Sequence, residues 1–260
     1  MARTKTADKV AKDPTVAAVN SPGFHPKLQA ACSTCSLAQL CLPMGLDQAD
    51  LERMDALVTR SDLMHEGEYL FRVGDPFKAI YAVRAGSYKS YTVDSEGREH
   101  VLGFHLAGEL LGLDAIYPEK HVCNAMALDT ASVCVMPYDQ LRALAGQIDG
   151  LRAQLLRLMS KDIADAATLA GDFTAEERIA AFLVGLSRRF QQRGFSPKEF
   201  TLTMSRRDIA NYLRMAPETV SRVFARFEKD KLIAVEHRSI RLSDANKLHD
   251  MAQCMGEMRP

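Results

Sequence analysis

The spacing of hydrophobic positions changes along the chain, and each change marks a different kind of element. Residues 1–25 mix Ala, Lys, Thr and Pro without any period, which predicts a mobile tail. A short helical pattern follows from Leu46 to Leu57, with Asp47 placed as a first-turn anion. Between residues 61 and 137 the pattern becomes strand-like. Glycines recur at 67, 74, 86, 97, 103, 108 and 112, separating short runs such as Ala79–Val83 and Tyr88–Val93. Short strands punctuated at this spacing predict an antiparallel roll or barrel, with Asp94-Ser95-Glu96-Gly97 as a hairpin connection.

From Tyr138 the period turns helical, and the stretch from Leu151 to Gly171 carries two apolar stripes. Leu151, Leu155 and Leu158 form one, assigned to packing on the roll. Leu156, Met159, Ile163, Ala166, Ala170 and Phe173 form the other, with the 3-4-3-4-3 spacing of a coiled-coil seam. A helix apolar on two faces needs two partners, and a symmetry mate can be the second.

The most specific local pattern begins at Ser205-Arg206-Arg207-Asp208, a capping box in which Asp stands for the usual Glu or Gln. Ile209, Ala210 and Leu213 give this helix its apolar side. A turn through Arg214, Met215 and Ala216 leads to Pro217, well suited to open a second helix. In that helix Val220, Val223, Phe224 and Phe227 face inward, while Glu218, Ser221 and Arg222 share the opposite side near its N-terminus. Two helices so arranged predict a helix-turn-helix presenting those three residues to base edges in a DNA major groove. Arg206, Arg207, Arg226, Lys229 and Arg238 suit phosphates. Ile233–Val235 and Ser239–Leu242 predict the two strands of a wing.

Charge sharpens that assignment. The chain is neutral overall, with 33 basic and 33 acidic residues. Residues 171–242 nevertheless hold 14 Lys/Arg against 9 Asp/Glu, and the remainder 19 against 24, so the basic third is the one that suits a polyanion. Composition, 47% hydrophobic and 25% charged over 260 residues, is that of a globular chain of one large or two modest domains. The absence of a long apolar run predicts no membrane span. No apolar segment follows the basic start before Pro14, so a cytoplasmic protein is expected.

Cysteines supply the remaining chemistry. Cys32, Cys35 and Cys41 have C-x2-C-x5-C spacing, and Cys123, Cys134 and Cys254 are isolated. Three close thiols on a loop point to metal ligation, with a fourth from Cys123 or Cys134. Zinc and iron–sulfur clusters both accept four sulfurs. A triple matched by one distant cysteine, rather than two close pairs, favours a cluster. Redox thiols remain an alternative, and no catalytic His/carboxylate group or nucleotide loop points to an enzyme.

Several ordered segments resemble the oxygen-responsive iron–sulfur regulators of the CRP/FNR superfamily over roughly residues 26–245. They are Cys32–Cys41, Gly103–Leu110, Val133–Pro137, Ala175–Arg178, Leu186–Pro197 and Glu218–Arg222. The resemblance implies an α+β fold: a cyclic-nucleotide-binding-like antiparallel β-roll, a long dimerisation helix and a C-terminal winged helix-turn-helix. Its segments are 26–150 for cluster loop plus roll, 151–172 for the helix and 173–250 for the DNA-binding domain. It also implies a [4Fe-4S] cluster on Cys32, Cys35, Cys41 and Cys134. The clustered form is then a homodimer on palindromic sites with TTGAT-like halves, and oxygen converts the cluster toward [2Fe-2S] and weakens DNA binding. Glu218, Ser221 and Arg222 match the base-reading residues, and loops such as Asp94–His100 would touch RNA polymerase. Two positions depart from the pattern. Ala166 stands where the seam can carry an acidic residue, so oxygen is expected to dissociate this dimer less completely. Lys120-His121-Val122-Cys123 replaces the Arg-Ser pair of nucleotide-binding relatives, so no cyclic nucleotide is expected.

Overall fold

A computed structural model describes residues 31–169 and 171–253. The expected tail at 1–25, the seam residue Ala170 and Cys254 lie outside the described residues. The chain enters through a 3-10 turn, Cys32–Thr34, and then helix α1, Gln48–Leu57. Asp47 proves to be the cap of α1 rather than a residue of its first turn. Its short carboxylate accepts the Asp50 amide at 2.9 Å, which needs the non-helical backbone of a cap.

Eight strands build the roll: β1 (Thr59–Arg60), β2 (Tyr69–Phe71), β3 (Ala79–Ala85), β4 (Ser87–Val93), β5 (Glu99–Leu106), β6 (Leu110–Leu111), β7 (Asn124–Ala127) and β8 (Ser132–Pro137). They form two antiparallel four-stranded sheets, ordered β1-β8-β3-β6 and β2-β7-β4-β5. The Asp94–Gly97 segment connects β4 to β5, as its composition predicts. Gly86 alone joins β3 to β4, at φ +71°. A Cβ there would lie 2.5 Å from both Asp129 Oδ1 and the Thr130 carbonyl, so no other residue fits without displacing the neighbouring loop.

Helices α2 (Tyr138–Ala145), α3 (Asp149–Leu169) and α4 (Ala175–Gln192) follow. At 21 residues α3 is about 31 Å long. Thr174 and Glu177 close a reciprocal capping box at the start of α4. The DNA-binding portion continues with β9 (Glu199–Thr201), α5 (Arg206–Tyr212), α6 (Pro217–Lys229), β10 (Ile233–Glu236), β11 (Ser239–Leu242) and α7 (Ala245–Ala252). The wing therefore has three strands, ordered β10-β11-β9, one more than the hairpin expected from the sequence. Three residues are too few for β9 to show a period, and its pairing partner lies some forty residues away.

The apolar interior has three parts. Phe71, Val83, Tyr88, Ala125 and Val133 fill the space between the two sheets. Ile80, Met136, Leu141, Leu144 and Leu151 bury the outer face of the first sheet under α2 and the start of α3. Tyr91, Val101, Phe104 and Leu106, on the outer face of the second sheet, merge with the core of α4, α5 and α6. Consequently Ser87 through Tyr91 are buried in succession, although Ser87, Lys89 and Ser90 are polar.

Candidate functional site

Two sites draw on this frame, and the first is built around sulfur. Backbone bonds within the loop, such as Ala38 N to Cys35 O at 3.1 Å and Cys41 N to Leu37 O at 3.0 Å, coil it into successive turns. Asp55 of α1 anchors its start, accepting the Cys32 amide at 3.1 Å and the Arg60 guanidinium at 2.6 Å. Leu37 and Leu40 press against Gly108, where a Cβ would come within 3.1 Å of Leu40 Cβ; this glycine also holds φ +90°. Cys134 lies on β8, opposite Arg60 of β1 and Ala82 of β3. Cys32, Cys41 and Cys134 all rest on the apolar cluster that includes Leu42, Ile80 and Met136.

The thiols also sense one another. Burial, then the charges of Asp55 and Cys134, pushes Cys32 up to about 12. Burial and the neighbouring Cys134, Cys32 and Cys35 push Cys41 up to about 12. Burial raises Cys134 as well, partly offset by Arg60 and Arg84 and reinforced by Cys35. Four sulfurs linked by these electrostatic contacts, with the thiolates of Cys32, Cys41 and Cys134 disfavoured by burial, form a donor set that a multiply charged iron or zinc centre would suit. Among the described residues, however, no three His, Cys, Asp or Glu side chains are drawn together as a formed metal site. Cys123 is elsewhere, buried between the two sheets, with its thiol 3.4 Å from Asp114 Oδ2.

The second site is the helix-turn-helix. Ser205 Oγ accepts the Asp208 amide at 3.0 Å, and Asp208 Oδ2 accepts the Ser205 amide at 3.1 Å, completing the expected box. Arg214 takes a positive φ in the turn, and Pro217 opens α6. Val220, Val223, Phe224 and Phe227 are buried; Glu218, Ser221 and Arg222 are exposed together on the opposite face. Ser221 donates to the Pro217 carbonyl at 3.0 Å, and Arg222 to Thr219 Oγ1 at 3.1 Å, so both side chains lie along the helix.

The basic residues expected at phosphates divide into two groups. Arg207, Lys229 and the wing residue Arg238 are exposed. Arg206 instead stacks its guanidinium 3.5 Å from the Phe224 ring centroid, and burial lowers its pKa. Arg226 pairs with Glu176 of α4 and, at 3.7 Å, with Asp230. On α3, Leu151 is fully buried, with Leu155 and Leu158 against the roll. Leu156 and Ile163 on the other stripe are 60% and 70% exposed, Ala166 is exposed and Met159 half-buried.

Sequence reasoning missed a polar knot at Glu109. Arg189 Nε and Nη2 donate to its two oxygens at 2.9 and 2.5 Å, and Arg193 Nη2 donates at 2.7 Å. Burial alone would raise this carboxyl, but the two guanidiniums hold it at about 2. Its partners lie 80 and 84 positions away, Arg189 on α4 and Arg193 just past its end, and nothing local signals them. Nearby in the roll, His121 stacks on Phe71 with ring centroids 3.7 Å apart.

Residues 63–147 match the cyclic nucleotide-binding domain family, and residues 177–251 the Crp-like helix-turn-helix domain family. The chain is similar to the transcriptional activator protein Anr of Pseudomonas protegens, with 47% identity covering 86% of this chain and 93% of that protein. It is also similar to the fumarate and nitrate reduction regulatory protein of Escherichia coli, with 45% identity covering 85% and 90%. Among solved structures, FixK2 of Bradyrhizobium japonicum superposes with a TM-score of 0.68 at 29% identity, covering 75% of this chain and 96% of that one.

Proposed function

The chain belongs to the CRP/FNR family of DNA-binding transcription regulators and is not an enzyme; from that premise we propose that it is an oxygen-responsive member. In this reading Cys32, Cys35, Cys41 and Cys134 hold a [4Fe-4S] cluster. The observation that carries it is that Cys32, Cys41 and Cys134 rest on one apolar cluster, with Cys35 near enough for its charge to bear on Cys41 and Cys134. When bound, the cluster would supply an oxygen-labile iron centre whose positive core offsets part of the charge of the four thiolates. Cys134 ties the N-terminal loop to β8, and β8 runs directly into α2 and on to α3. A loop fastened there bears on the helix whose outward stripe, exposed at Leu156, Ile163 and Ala166 and half-buried at Met159, serves as the dimer seam.

The dimer then presents two copies of Glu218, Ser221 and Arg222 to a palindrome with TTGAT-like halves. Arg207, Arg226, Lys229 and Arg238, all exposed, take phosphates, while Arg206, stacked on Phe224, supports the recognition helix. RNA polymerase is the downstream partner in the cytoplasm. No cyclic nucleotide is engaged: the Glu109 carboxylate is committed to Arg189 and Arg193, and His121 occupies the roll interior beside Phe71. Among the described residues no helix is long and apolar enough to cross a membrane.

The test is anaerobic purification followed by an absorption spectrum, iron and sulfide analysis and operator binding before and after exposure to air. Coloured protein that loses operator affinity in air is expected. Colourless protein containing zinc, or metal-free protein whose binding follows thiol oxidation, would replace the cluster with the corresponding alternative.

A further inference from the structure

The outer face of β4 carries a lysine where a sheet docked on another unit would ordinarily place an apolar side chain. Lys89 is 5% exposed. Its ammonium donates to Glu99 Oε2 of β5 at 2.9 Å and to Asp208 Oδ1 of α5 at 2.8 Å, and lies 4.8 Å from the Tyr91 ring centroid. A lysine buried this deeply needs both partners to offset its lost hydration, and one of them belongs to the helix-turn-helix. Asp208 is divided between two tasks. Its Oδ2 closes the capping box with Ser205, and its Oδ1 receives Lys89, so the ion pair grips the first turn of α5.

Neighbouring contacts act on the same helix. The Asn211 side chain accepts the Val101 amide at 2.6 Å and donates to the Glu99 carbonyl, binding α5 to the backbone of β5. Ser87 Oγ donates to Thr203 Oγ1 at 2.8 Å, just ahead of α5. Between them Phe104 meets Tyr212 with centroids 5.2 Å apart. Apolar contact of this kind is non-directional and tolerates sliding, whereas charge-assisted bonds with fixed lengths do not. All of these contacts engage α5 or its approach and leave Glu218, Ser221 and Arg222 of α6 exposed.

We propose that Lys89 is a positioning residue for DNA recognition: by bridging Glu99 and Asp208 it fixes the orientation of the helix-turn-helix on the roll, and so the spacing at which paired recognition helices meet two half-sites. The proposal rests on the reading of the protein as a dimer on a palindrome. Lys89 touches no DNA in this arrangement. Its effect lies in preorganisation, because two linked binding events gain from each other only when their geometry matches the span between sites.

The experiment uses the full chain, prepared anaerobically, and two operators with identical half-sites, one at the preferred spacing and one with a single base pair inserted between them. Wild type should strongly prefer the first. Lys89→Met should lose about tenfold in affinity for the preferred spacing, the order expected when matched geometry is relaxed, while binding the lengthened operator undiminished. Lys89→Arg should restore the preference, and Asn211→Ala should weaken it in the same direction even if Lys89→Met folds poorly. Equal losses on both operators would mark Lys89 as a merely structural residue, and an unchanged ratio or tighter binding would overturn the proposal. A wild-type protein indifferent to spacing would instead remove the palindrome reading on which the proposal stands.

Discussion

Arg189 holds both carboxylate oxygens of Glu109, and this contact joins positions 80 residues apart, from the turn between β5 and β6 to the last turn of α4. It has a pH signature. Glu109 is held at about 2 from an ordinary 4.5, so its stabilising contribution is complete above 4.5 and is lost as pH falls toward 2. His105 works at higher pH. Burial chiefly lowers it to about 4 from 6.5, so the unfolded chain takes up that proton first and stability declines as pH drops from 6.5 to 4. Urea midpoints measured across this range should fall in two stages. Glu109→Gln should abolish the lower stage and His105→Asn the upper one; a lower stage that persists in Glu109→Gln would show that other carboxyls control it.

The two central cysteines should behave differently on substitution. Cys134 shares an apolar cluster with Cys32 and Cys41, whereas Cys123 is 2% exposed within the roll. Cys134→Ser should yield folded protein without cluster absorbance or anaerobic operator binding. Cys123→Ala should keep both. Normal absorbance in Cys134→Ser would assign the fourth ligand elsewhere.

Base reading and phosphate contact predict separate losses. Arg222 is exposed on the polar face of α6, so, if it reads a base as proposed, Arg222→Ala should cost about 1–3 kcal/mol on the cognate operator and little on variants at that base. Lys229 is exposed near the C-terminus of α6. Lys229→Ala should weaken all sequences alike and reduce the slope of log affinity against log salt by about 1. Binding titrations on a panel of operators at several salt concentrations separate the two.

The two stripes of α3 predict opposite phenotypes. Leu151 is fully buried against the roll, and Leu151→Ala should destabilise each subunit by about 2–5 kcal/mol in denaturant titration. Ile163 is 70% exposed, so Ile163→Asp should leave subunit stability nearly unchanged while sedimentation shows monomers. Because Ala166 puts no charge in the proposed seam, wild-type protein exposed to air should retain a fraction of dimer. Complete dissociation in air would place the oxygen-dependent barrier somewhere other than the seam.

Much of this molecule follows from the sequence because the controlling interactions are local. A cap needs partners three residues apart, and Ser205 with Asp208 supplies them. An amphipathic helix needs only its own period, which is why Val220, Val223, Phe224 and Phe227 separate from Glu218, Ser221 and Arg222 before any fold is known. The cysteine triple and the β4–β5 connection are legible for the same reason. Only the tertiary structure decided which distant groups meet. It laid Cys134 on the same apolar cluster as Cys32 and Cys41 and put Cys123 between the two sheets, added β9 to the wing, stacked Arg206 on Phe224, paired the exposed Arg226 with Glu176, and buried Lys89 against a carboxylate 119 positions away. Such pairings leave no period along the chain. They arise because both faces of β4 are covered at once, and a charge enclosed there is tolerated only where folding brings an opposite charge to it.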